Sequence, residues 1–322
     1  MTGTDIRPLA GAGTADEPAG PAARVRGLRK RYRTVTAVDG VDLDVPGGSV
    51  FGMLGPNGSG KTTLIRMLLG LTRPTAGAVE LLGRPVPDGL AASLPDVGAL
   101  VEGPGFHPFL TGRENLRRAA ATEPRLPSSQ VRPAVEEALE RVGLAPAAGR
   151  RFRGYSLGMK QRLGLAAALL VPRRLVVLDE PTNGLDPAGT REIRAIVAEL
   201  RAAGATVLLS SHLLSEVEAV CTHVAVLKSG SLLASGELRR LLDAVADGWE
   251  IASTDVEGAL TALRGAGASA HAHGDGVLVE DGPEGPVLFE ALVRAGVPVH
   301  GLRRRRPDLE ELFTRLTEEE SG

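Results

Sequence analysis

Nine consecutive residues, from Gly55 to Thr63, combine the side chains and the spacing needed to hold a phosphate chain. They follow the P-loop pattern of Gly, four residues, then Gly-Lys-Thr. The glycines let the backbone curl so that several N–H groups face one anion. Lys61 would add a positive charge for the outer phosphates, and the Thr62 hydroxyl is placed to ligate magnesium. The predicted nucleotide-contacting residues of this stretch are Gly55, Pro56, Asn57, Gly58, Ser59, Gly60, Lys61, Thr62 and Thr63.

The flanking residues supply the elements that this motif requires. Residues 49–54 are predicted to form a buried strand, and residues 64–69 a helix. A helix that starts at the loop adds the positive end of its dipole to the anion site. The alternative, an ordinary Gly-rich turn between a strand and a helix, would not need so many defined features in one place.

A second group of candidates follows the apolar run at 175–178, which ends in Asp179 and Glu180. A continuous apolar strand indicates a parallel sheet that is covered on both faces. Ligands bind at the carboxyl ends of such strands. The next predicted strand, at 206–209, leads through two serines into His212. A lone histidine is more often structural, but this one again lies at the carboxyl end of a strand.

Two further residues are weaker candidates. Ser156 is placed to cap a helix that runs to Leu170, so free backbone donors point outward at this end. This is either an ordinary capped helix or a second phosphate-binding helix end. Tyr32 precedes the P-loop in a chain with only 3% aromatic residues, and it is a candidate to stack on a base. Taken alone, such a tyrosine is more often a core or surface residue.

The rest of the chain is predicted to fall into four parts. Residues 1–23 lack periodicity and are predicted to be a disordered tail, and folding begins near Arg24. Residues 35–45 alternate apolar and polar side chains and are interpreted as a half-exposed strand pair. A helical segment at about 105–170 interrupts the strand–helix alternation, as an inserted subdomain would, with a capping box at Thr111 and Glu114.

The last part of the chain differs in character. Residues 241–322 are predicted to form a small α+β domain. Its predicted strands are 249–253, 268–272, 276–280 and 297–302, and its predicted helices are 256–264, 286–295 and 307–317. The basic run Arg303–Arg306 is interpreted as a solvated edge, with an acidic lipid or partner surface as the alternative. His271 and His273 lack neighbours at ligand spacing, so a metal site is not expected there.

Composition excludes several classes of protein. Hydrophobic residues are 43% of the 322, so a sizeable core can form. A net charge of -2 gives no indication of nucleic-acid binding. The single cysteine, Cys221, rules out a disulfide framework and is expected to be a small buried side chain. Neither a secretory signal nor an apolar run of the ~20 residues that span a bilayer is visible, so we expect the protein not to cross a membrane by itself.

The order of these motifs resembles that of the ATP-binding cassette (ABC) family over residues 24–240. The closest likeness is to the bacterial multidrug and antibiotic exporter cassettes, including the bacitracin- and lantibiotic-resistance type. The segments 97–102, 110–116 and 155–162 carry this resemblance. Residues 307–313 are similar to the small C-terminal domain that is common in these exporters. The resemblance implies an α/β fold: a P-loop ABC core with the inserted helical subdomain, followed by the small domain.

The resemblance also assigns roles to individual residues. Asp179 would hold the magnesium water shell, Glu180 would act as the general base, and His212 would contact the γ-phosphate. Lys61 completes the predicted catalytic set. Tyr32 would stack on adenine.

The remaining roles involve a second chain. Ser156 and Gly158 would meet the γ-phosphate bound by the opposite subunit, and Asp186 would communicate across the dimer. Each site would therefore need two chains, with ATP and Mg²⁺ between them. A homodimer is the simplest assembly, since both halves of the site are present.

The sequence departs from the family pattern at two places. The signature, usually Leu-Ser-Gly-Gly-Gln, reads Tyr-Ser-Leu-Gly-Met at 155–159, so the hydroxyl and the second glycine are kept. Glu102 occupies a position where the family usually has glutamine, and we expect it to be a magnesium ligand.

The sequence thus predicts the ATPase subunit of an ABC exporter for a drug, antibiotic or peptide. It would lie in the cytoplasm, attached to the inner face of the cell membrane through a separate permease, with no nucleic acid as partner. The alternative is a soluble, non-transport ABC ATPase acting on ribosomes or DNA. The single cassette, the lack of a long coiled-coil insert and the lack of a basic bias argue against it.

Overall fold

The structure, a computed structural model, describes residues 20–103, 105–245, 248–305 and 307–319. The strands are β1 (Ala23–Tyr32), β2 (Val35–Val45), β3 (Val50–Leu54), β4 (Ala76–Leu81), β5 (Arg84–Val86), β6 (Val97–Leu100), β7 (Leu175–Asp179), β8 (Thr206–Ser211), β9 (His223–Lys228), β10 (Ser231–Glu237), β11 (Trp249–Ala252), β12 (Ser269–His273), β13 (Gly276–Asp281) and β14 (Gly301–Arg304). The helices are α1 (Lys61–Leu68), α2 (Leu90–Ser93), α3 (Gly112–Ala121), α4 (Val131–Arg141), α5 (Leu157–Ala168), α6 (Pro187–Ala202), α7 (Leu214–Val220), α8 (Leu238–Ala244), α9 (Val256–Gly265), α10 (Gly285–Arg294) and α11 (Leu309–Glu319).

A six-stranded sheet positions the candidate residues. Its strand order is β10-β9-β3-β8-β7-β6, and all neighbours are parallel except the antiparallel pair β9 and β10. Every residue of β3, β7 and β8 is buried, as expected for strands covered by helices on both faces. Because the strands are parallel, the P-loop, the two acids and His212 all follow the carboxyl ends of neighbouring strands. The predicted buried strands and their parallel arrangement are confirmed.

A second sheet, with the order β2-β1-β4-β5, shares a core with α1 and one face of the central sheet. The predicted strand pair within residues 35–45 is wrong, because these residues form the single strand β2, which pairs with β1. The pairing register shifts between Leu28 and Lys30, close to Gly40, whose φ is 67°. Two exposed residues therefore separate the buried side chains of Val38 and Val41, which interrupts the polar–apolar alternation at this point as a turn would.

The helical insert contains α3, α4 and α5, which pack on one another in a common core. Thr111 caps α3 and forms the predicted capping box with Glu114: its side chain accepts from the Glu114 N–H, and its own N–H donates to the Glu114 carboxylate at 2.7 Å. Ser156 caps α5, as predicted, by accepting from the N–H of Met159 at 3.2 Å. Both cap predictions are therefore confirmed.

The C-terminal residues form a third sheet, order β12-β13-β11-β14, with α9 and α10 packed on it around a core of its own. The strand predicted at 297–302 begins only at Gly301; Val297 instead contributes its side chain to the core. Arg303 lies on β14 as an exposed residue bonded to Glu250 at 2.7 Å, whereas Arg306 lies outside the described residues.

Helix α11 leaves this third sheet and packs on α7 and α8. Leu309 and Leu312 are buried in the same core as Val217 of α7. Cys221 lies close by and is buried, as predicted, and burial raises the pKa of its thiol to about 12. Residues 1–19 of the predicted tail at 1–23 lie outside the described residues. The end of this segment is ordered, because Ala22 and Ala23 are buried where β1 begins.

Candidate functional site

The P-loop connects β3 to α1 and holds Lys61 at its centre. The Lys61 ammonium is buried and donates to the carbonyls of Gly55 at 2.6 Å and Pro56 at 3.2 Å. Burial lowers the pKa of Lys61, while the carboxylates of Glu180 and Asp179 oppose this shift. The loop thus folds around a cation whose hydrogen-bond partners are the loop's own carbonyls, which phosphate oxygens could replace.

Two glycines of the loop, Gly55 and Gly60, are required by close approach. Gly60 has φ 103°, and a Cβ there would lie 2.5 Å from the carbonyl oxygen of Ala37. A Cβ on Gly55 would lie 2.2 Å from the carbonyl oxygen of Leu227. Among the residues that the structure describes, the buried hydroxyl of Ser59 has no hydrogen-bond partner. A buried hydroxyl without a partner is costly, and it fits a loop whose polar groups are completed by a phosphate.

Asp179, at the end of β7, is held by two hydroxyls. Thr62 donates to its Oδ1 at 3.2 Å, and Ser210 of β8 donates to the same oxygen at 2.6 Å. A threonine hydroxyl beside a carboxylate is the hard-oxygen donor set that Mg²⁺ prefers. The residues present therefore fit a magnesium ion at the amino end of α1.

Glu180 is the point at which four parts of the chain meet. Its backbone is left-handed (φ 47°), and its N–H donates to Ser210 Oγ at 2.9 Å. Its carbonyl accepts from Gln161 Nε2 at 3.2 Å. Its two carboxylate oxygens lie 3.7 Å from Lys61 Nζ and 2.7 Å from His212 Nδ1. A carboxylate fixed between a lysine and a histidine is suited to take a proton from a positioned water.

Glu102 follows β6, next to β7 in the same sheet. Its backbone is also left-handed (φ 57°), but its carboxylate forms an ion pair with Arg66 of α1. This carboxylate raises the pKa of the Arg66 guanidinium. Glu102 thus lies beyond the carboxyl end of its strand, as predicted, but its carboxylate is paired with Arg66. Its ligation of magnesium stays a prediction.

Tyr32 lies at the end of β1 with its ring partly exposed. The ammonium of Lys30 lies 4.8 Å from the centre of that ring. An accessible aromatic face is what base stacking requires, and the role in adenine binding stays a prediction.

The signature residues lie at the start of α5 and touch the loop that precedes α6. Ser156 is exposed, and the side chain of Leu157 lies against Gly184 so closely that a Cβ there would approach Leu157 Cδ2 to 2.3 Å. A Cβ on Gly158 would lie 2.8 Å from Leu185 Cδ2. The leucine that replaces the usual first glycine therefore packs on the loop of the same chain.

Asp186 ends that loop and caps α6. Its Oδ1 accepts from the N–H of Gly189 at 2.8 Å. Its predicted role across a dimer stays a prediction.

Sequence reasoning missed three residues that hold the site together: Ser210, Gln161 and Arg66. Gln161 lies within the recognised signature segment. Arg66 follows Thr62 by one helical turn, so a charge facing the loop could have been considered. Ser210 could not be assigned, because its contacts depend on the register that pairs it with Asp179.

Comparisons with known proteins agree with this geometry. A family model described as ABC transporter matches residues 38–183. An uncharacterised ABC transporter ATP-binding protein of Bacillus subtilis (strain 168) is 37% identical over 299 residues, which cover 92% of this chain and 96% of the relative. The chain belongs to the family of ABC transporter ATP-binding proteins. As such, this ABC protein is an ATPase, as the sequence predicted.

Two relatives with named cargoes are also similar to this ABC protein. The bacitracin transport ATP-binding protein BcrA of Enterococcus faecalis is 44% identical over 64% of this chain and 66% of the relative. The daunorubicin resistance ATP-binding protein DrrA3 of Streptomyces coeruleorubidus is 36% identical over 92% of this chain and 96% of the relative. The predicted likeness to antibiotic exporters is confirmed.

Solved structures confirm the fold class. CbiO1 of Clostridium perfringens, part of an ABC transporter complex, superposes with a TM-score of 0.61 at 26% identity, over 70% of this chain and 91% of that one. The match confirms an ABC cassette core of the α/β class. Within the described residues, no helix has the length and apolar composition that a bilayer crossing would require.

Proposed function

We propose that this ABC protein powers the export of a drug, antibiotic or peptide by hydrolysing MgATP at the edge of the sheet described above. The observation that best supports this proposal is the position of Glu180. Its carboxylate is held between Lys61 of the P-loop and His212, which directly follows β8. In this position, Lys61 and His212 can contact a γ-phosphate, and Glu180 can remove a proton from water beside it.

Nucleotide binding begins with the P-loop. Phosphate oxygens replace the carbonyls of Gly55 and Pro56 as partners of the Lys61 ammonium, because a charged acceptor forms the stronger hydrogen bond. The loop's N–H groups and the amino end of α1 add to this attraction. Tyr32 stacks on adenine.

Thr62 and Asp179 would hold Mg²⁺, with Ser210 keeping the Asp179 carboxylate in place. Glu102 would join them once it leaves Arg66. A bound magnesium ion offsets the charge of the phosphates.

Hydrolysis is then in-line attack by one water. The water oxygen forms a bond to the γ-phosphorus, the bond from that phosphorus to the bridging oxygen of ADP breaks, and the water proton passes to the Glu180 carboxylate. General-base catalysis of this kind contributes about 10²–10⁴-fold in rate. His212 holds the γ-phosphate and, through its contact with Glu180, the orientation of the base.

The active form is proposed to be a dimer of two copies of this chain. Ser156 is exposed at the start of α5, where it can meet the γ-phosphate bound to the other copy together with Gly158. Asp186, at the end of the loop that packs on α5, would link the two sites. Closure on ATP and reopening after hydrolysis would move a separate membrane permease.

The proposal also includes where the protein lies in the cell and what its permease transports. The chain would lie on the cytoplasmic face of the membrane through its permease, and the bacitracin and daunorubicin relatives support an antibiotic or drug as cargo. We further propose the division into an ABC domain at 24–240 and a small domain at 241–322, which the separate core of the third sheet supports.

The experiment that tests this proposal is gel filtration of Glu180→Gln. Without its base, the site should bind ATP and hardly hydrolyse it, so the closed dimer should accumulate. We expect a dimer with MgATP and a monomer with MgADP, with the wild-type chain monomeric in both. A variant that binds MgATP and stays monomeric would contradict the two-chain site.

A further inference from the structure

Glu216 is a buried carboxylate that the proposed mechanism does not use. It lies in the first turn of α7 and is only 8% exposed. Burying a charge is costly unless hydrogen bonds compensate for it. Thr182 Oγ1 donates to Glu216 Oε2 at 2.5 Å, and Ser211 Oγ lies 3.2 Å from the same oxygen. Two hydroxyls therefore converge on one carboxylate oxygen.

These hydroxyls come from the two chain segments that hold Glu180 and His212, the catalytic pair. The segments are the connections at the ends of β7 and β8. Thr182 follows Glu180 by two residues, in the loop after β7. Ser211 immediately precedes His212, and its hydroxyl also accepts from the N–H of Leu213 at 3.0 Å. The backbone on both sides of His212 is thus tied to Glu216, and so is the loop that follows Glu180.

The direct contact between the catalytic pair is less protected. His212 Nδ1 lies 2.7 Å from Glu180 Oε2 on the solvent side, with the histidine exposed. The Glu216 link is better shielded, because its contact with Ser211 is buried and its contact with Thr182 is partly buried, and hydrogen bonds are stronger away from water. The buried link is therefore the one that can fix the spacing of the two connections.

Two observations show why α7 can serve as the anchor. Leu309 and Leu312 of α11 lie in the same core as Val217, and the C-terminal helix packs on α7. Arg194 lines a cavity of about 20 Å³ together with Glu216, and its buried Nε has no hydrogen-bond partner within the described part of the chain. The carboxylate and the guanidinium thus line the same cavity, which has room for about one water.

We propose that Glu216 is a positioning residue that sets the spacing of Glu180 and His212 through Thr182 and Ser211. This inference rests on the proposed function, in which Glu180 is the base. Loss of the link should lower the rate of the chemical step, because the position of His212 relative to Glu180 then depends on their single exposed contact. It should leave ATP affinity unchanged, because no P-loop residue takes part in the link.

The test is steady-state phosphate release over a range of MgATP concentrations, with MgATP binding measured separately. Two hydrogen bonds to a buried carboxylate imply that Glu216→Ala lowers kcat about 10- to 100-fold, with the Kd for MgATP within about threefold of the wild type. Glu216→Gln keeps an oxygen acceptor and should retain most of kcat. The control is Glu218→Ala, an exposed glutamate on the same helix, which should behave as the wild type.

A second pair of variants guards against misfolding of Glu216→Ala. Thr182→Val removes one hydroxyl and should lower kcat, whereas Thr182→Ser restores the hydroxyl and should restore kcat. Combined with Glu216→Ala, Thr182→Val should add little further loss, since both remove the same link.

The inference is overturned if Glu216→Ala and Thr182→Val, folded as judged by thermal unfolding, keep the wild-type kcat, or if they raise KM alone. Glu180→Gln in the same assay separates the two proposals. If it is inactive while the Glu216 variants are unaffected, only the positioning role fails. If Glu180→Gln stays active, the proposed function itself fails.

Discussion

Two glutamates end neighbouring strands of the same sheet, and their surroundings differ. Glu180 after β7 and Glu102 after β6 both have left-handed backbones, with φ 47° and 57°, a conformation that is uncommon for residues other than glycine. The Glu180 side chain is 21% exposed, whereas that of Glu102 is 52% exposed. The shared backbone shape therefore does not decide what each carboxylate can do.

The partners make the difference. The backbone and side chain of Glu180 contact Ser210, Gln161, Lys61 and His212, which come from three separate parts of the chain: the end of β8, α5 and α1. Among the side chains described, the ion-pair partner of Glu102 is Arg66, on a surface where such pairs contribute about 0–1 kcal/mol. The comparison implies that Glu180 is preorganised for proton transfer, while Glu102 is free to exchange partners.

The largest effect is expected at the cation beside Glu180. Lys61→Ala removes the buried charge that would hold the outer phosphates, and loss of a preorganised donor in such a site costs about 10²–10³-fold in rate. We expect ATPase activity to be abolished within the sensitivity of a phosphate-release assay and MgATP binding to weaken strongly. Near-normal turnover by the folded variant would remove the P-loop from the mechanism.

The smallest effect is expected at the cation beside Glu102. Arg66→Gln breaks an exposed ion pair, so the free energy of unfolding should fall by less than about 1 kcal/mol in urea titrations. Because Glu102 is released from its partner, the Mg²⁺ concentration for half-maximal activity should fall, by at most about fivefold. Arg66→Lys is the matched control and should stay close to the wild type. If Arg66→Gln lost as much activity as Lys61→Ala, then Arg66 would be as important for hydrolysis as Lys61. This result would contradict the difference proposed between Glu102 and Glu180.

The same contrast explains what the sequence could predict. The P-loop, the caps at Thr111 and Ser156 and the buried strands were predicted correctly, because each depends on residues that are close in sequence. Ser210 forms hydrogen bonds with both Asp179 and Glu180. These bonds depend on the pairing of β7 with β8, which no local sequence pattern encodes. The pairing of Glu102 with Arg66 likewise joins elements that are separate in sequence.

Two further differences have local causes. The strand pair predicted at 35–45 was wrong because the shifted register near Gly40 resembles a turn in the pattern of polar and apolar residues. The return of α11 to α7 was not predicted, because its apolar stripe would fit either the third sheet or the ABC core.

The roles of Glu180 and Glu102 are tested most directly by steady-state phosphate release at saturating MgATP from three variants: Glu180→Gln, Glu102→Ala and Glu102→Gln. Glutamine keeps a side-chain oxygen that can ligate Mg²⁺ but cannot take the proton that a base must accept. We expect Glu180→Gln to lose nearly all activity, Glu102→Ala to lose much of it, and Glu102→Gln to keep most of it. If Glu102→Gln were as inactive as Glu180→Gln, the assignment of proton transfer to Glu180 alone would be wrong.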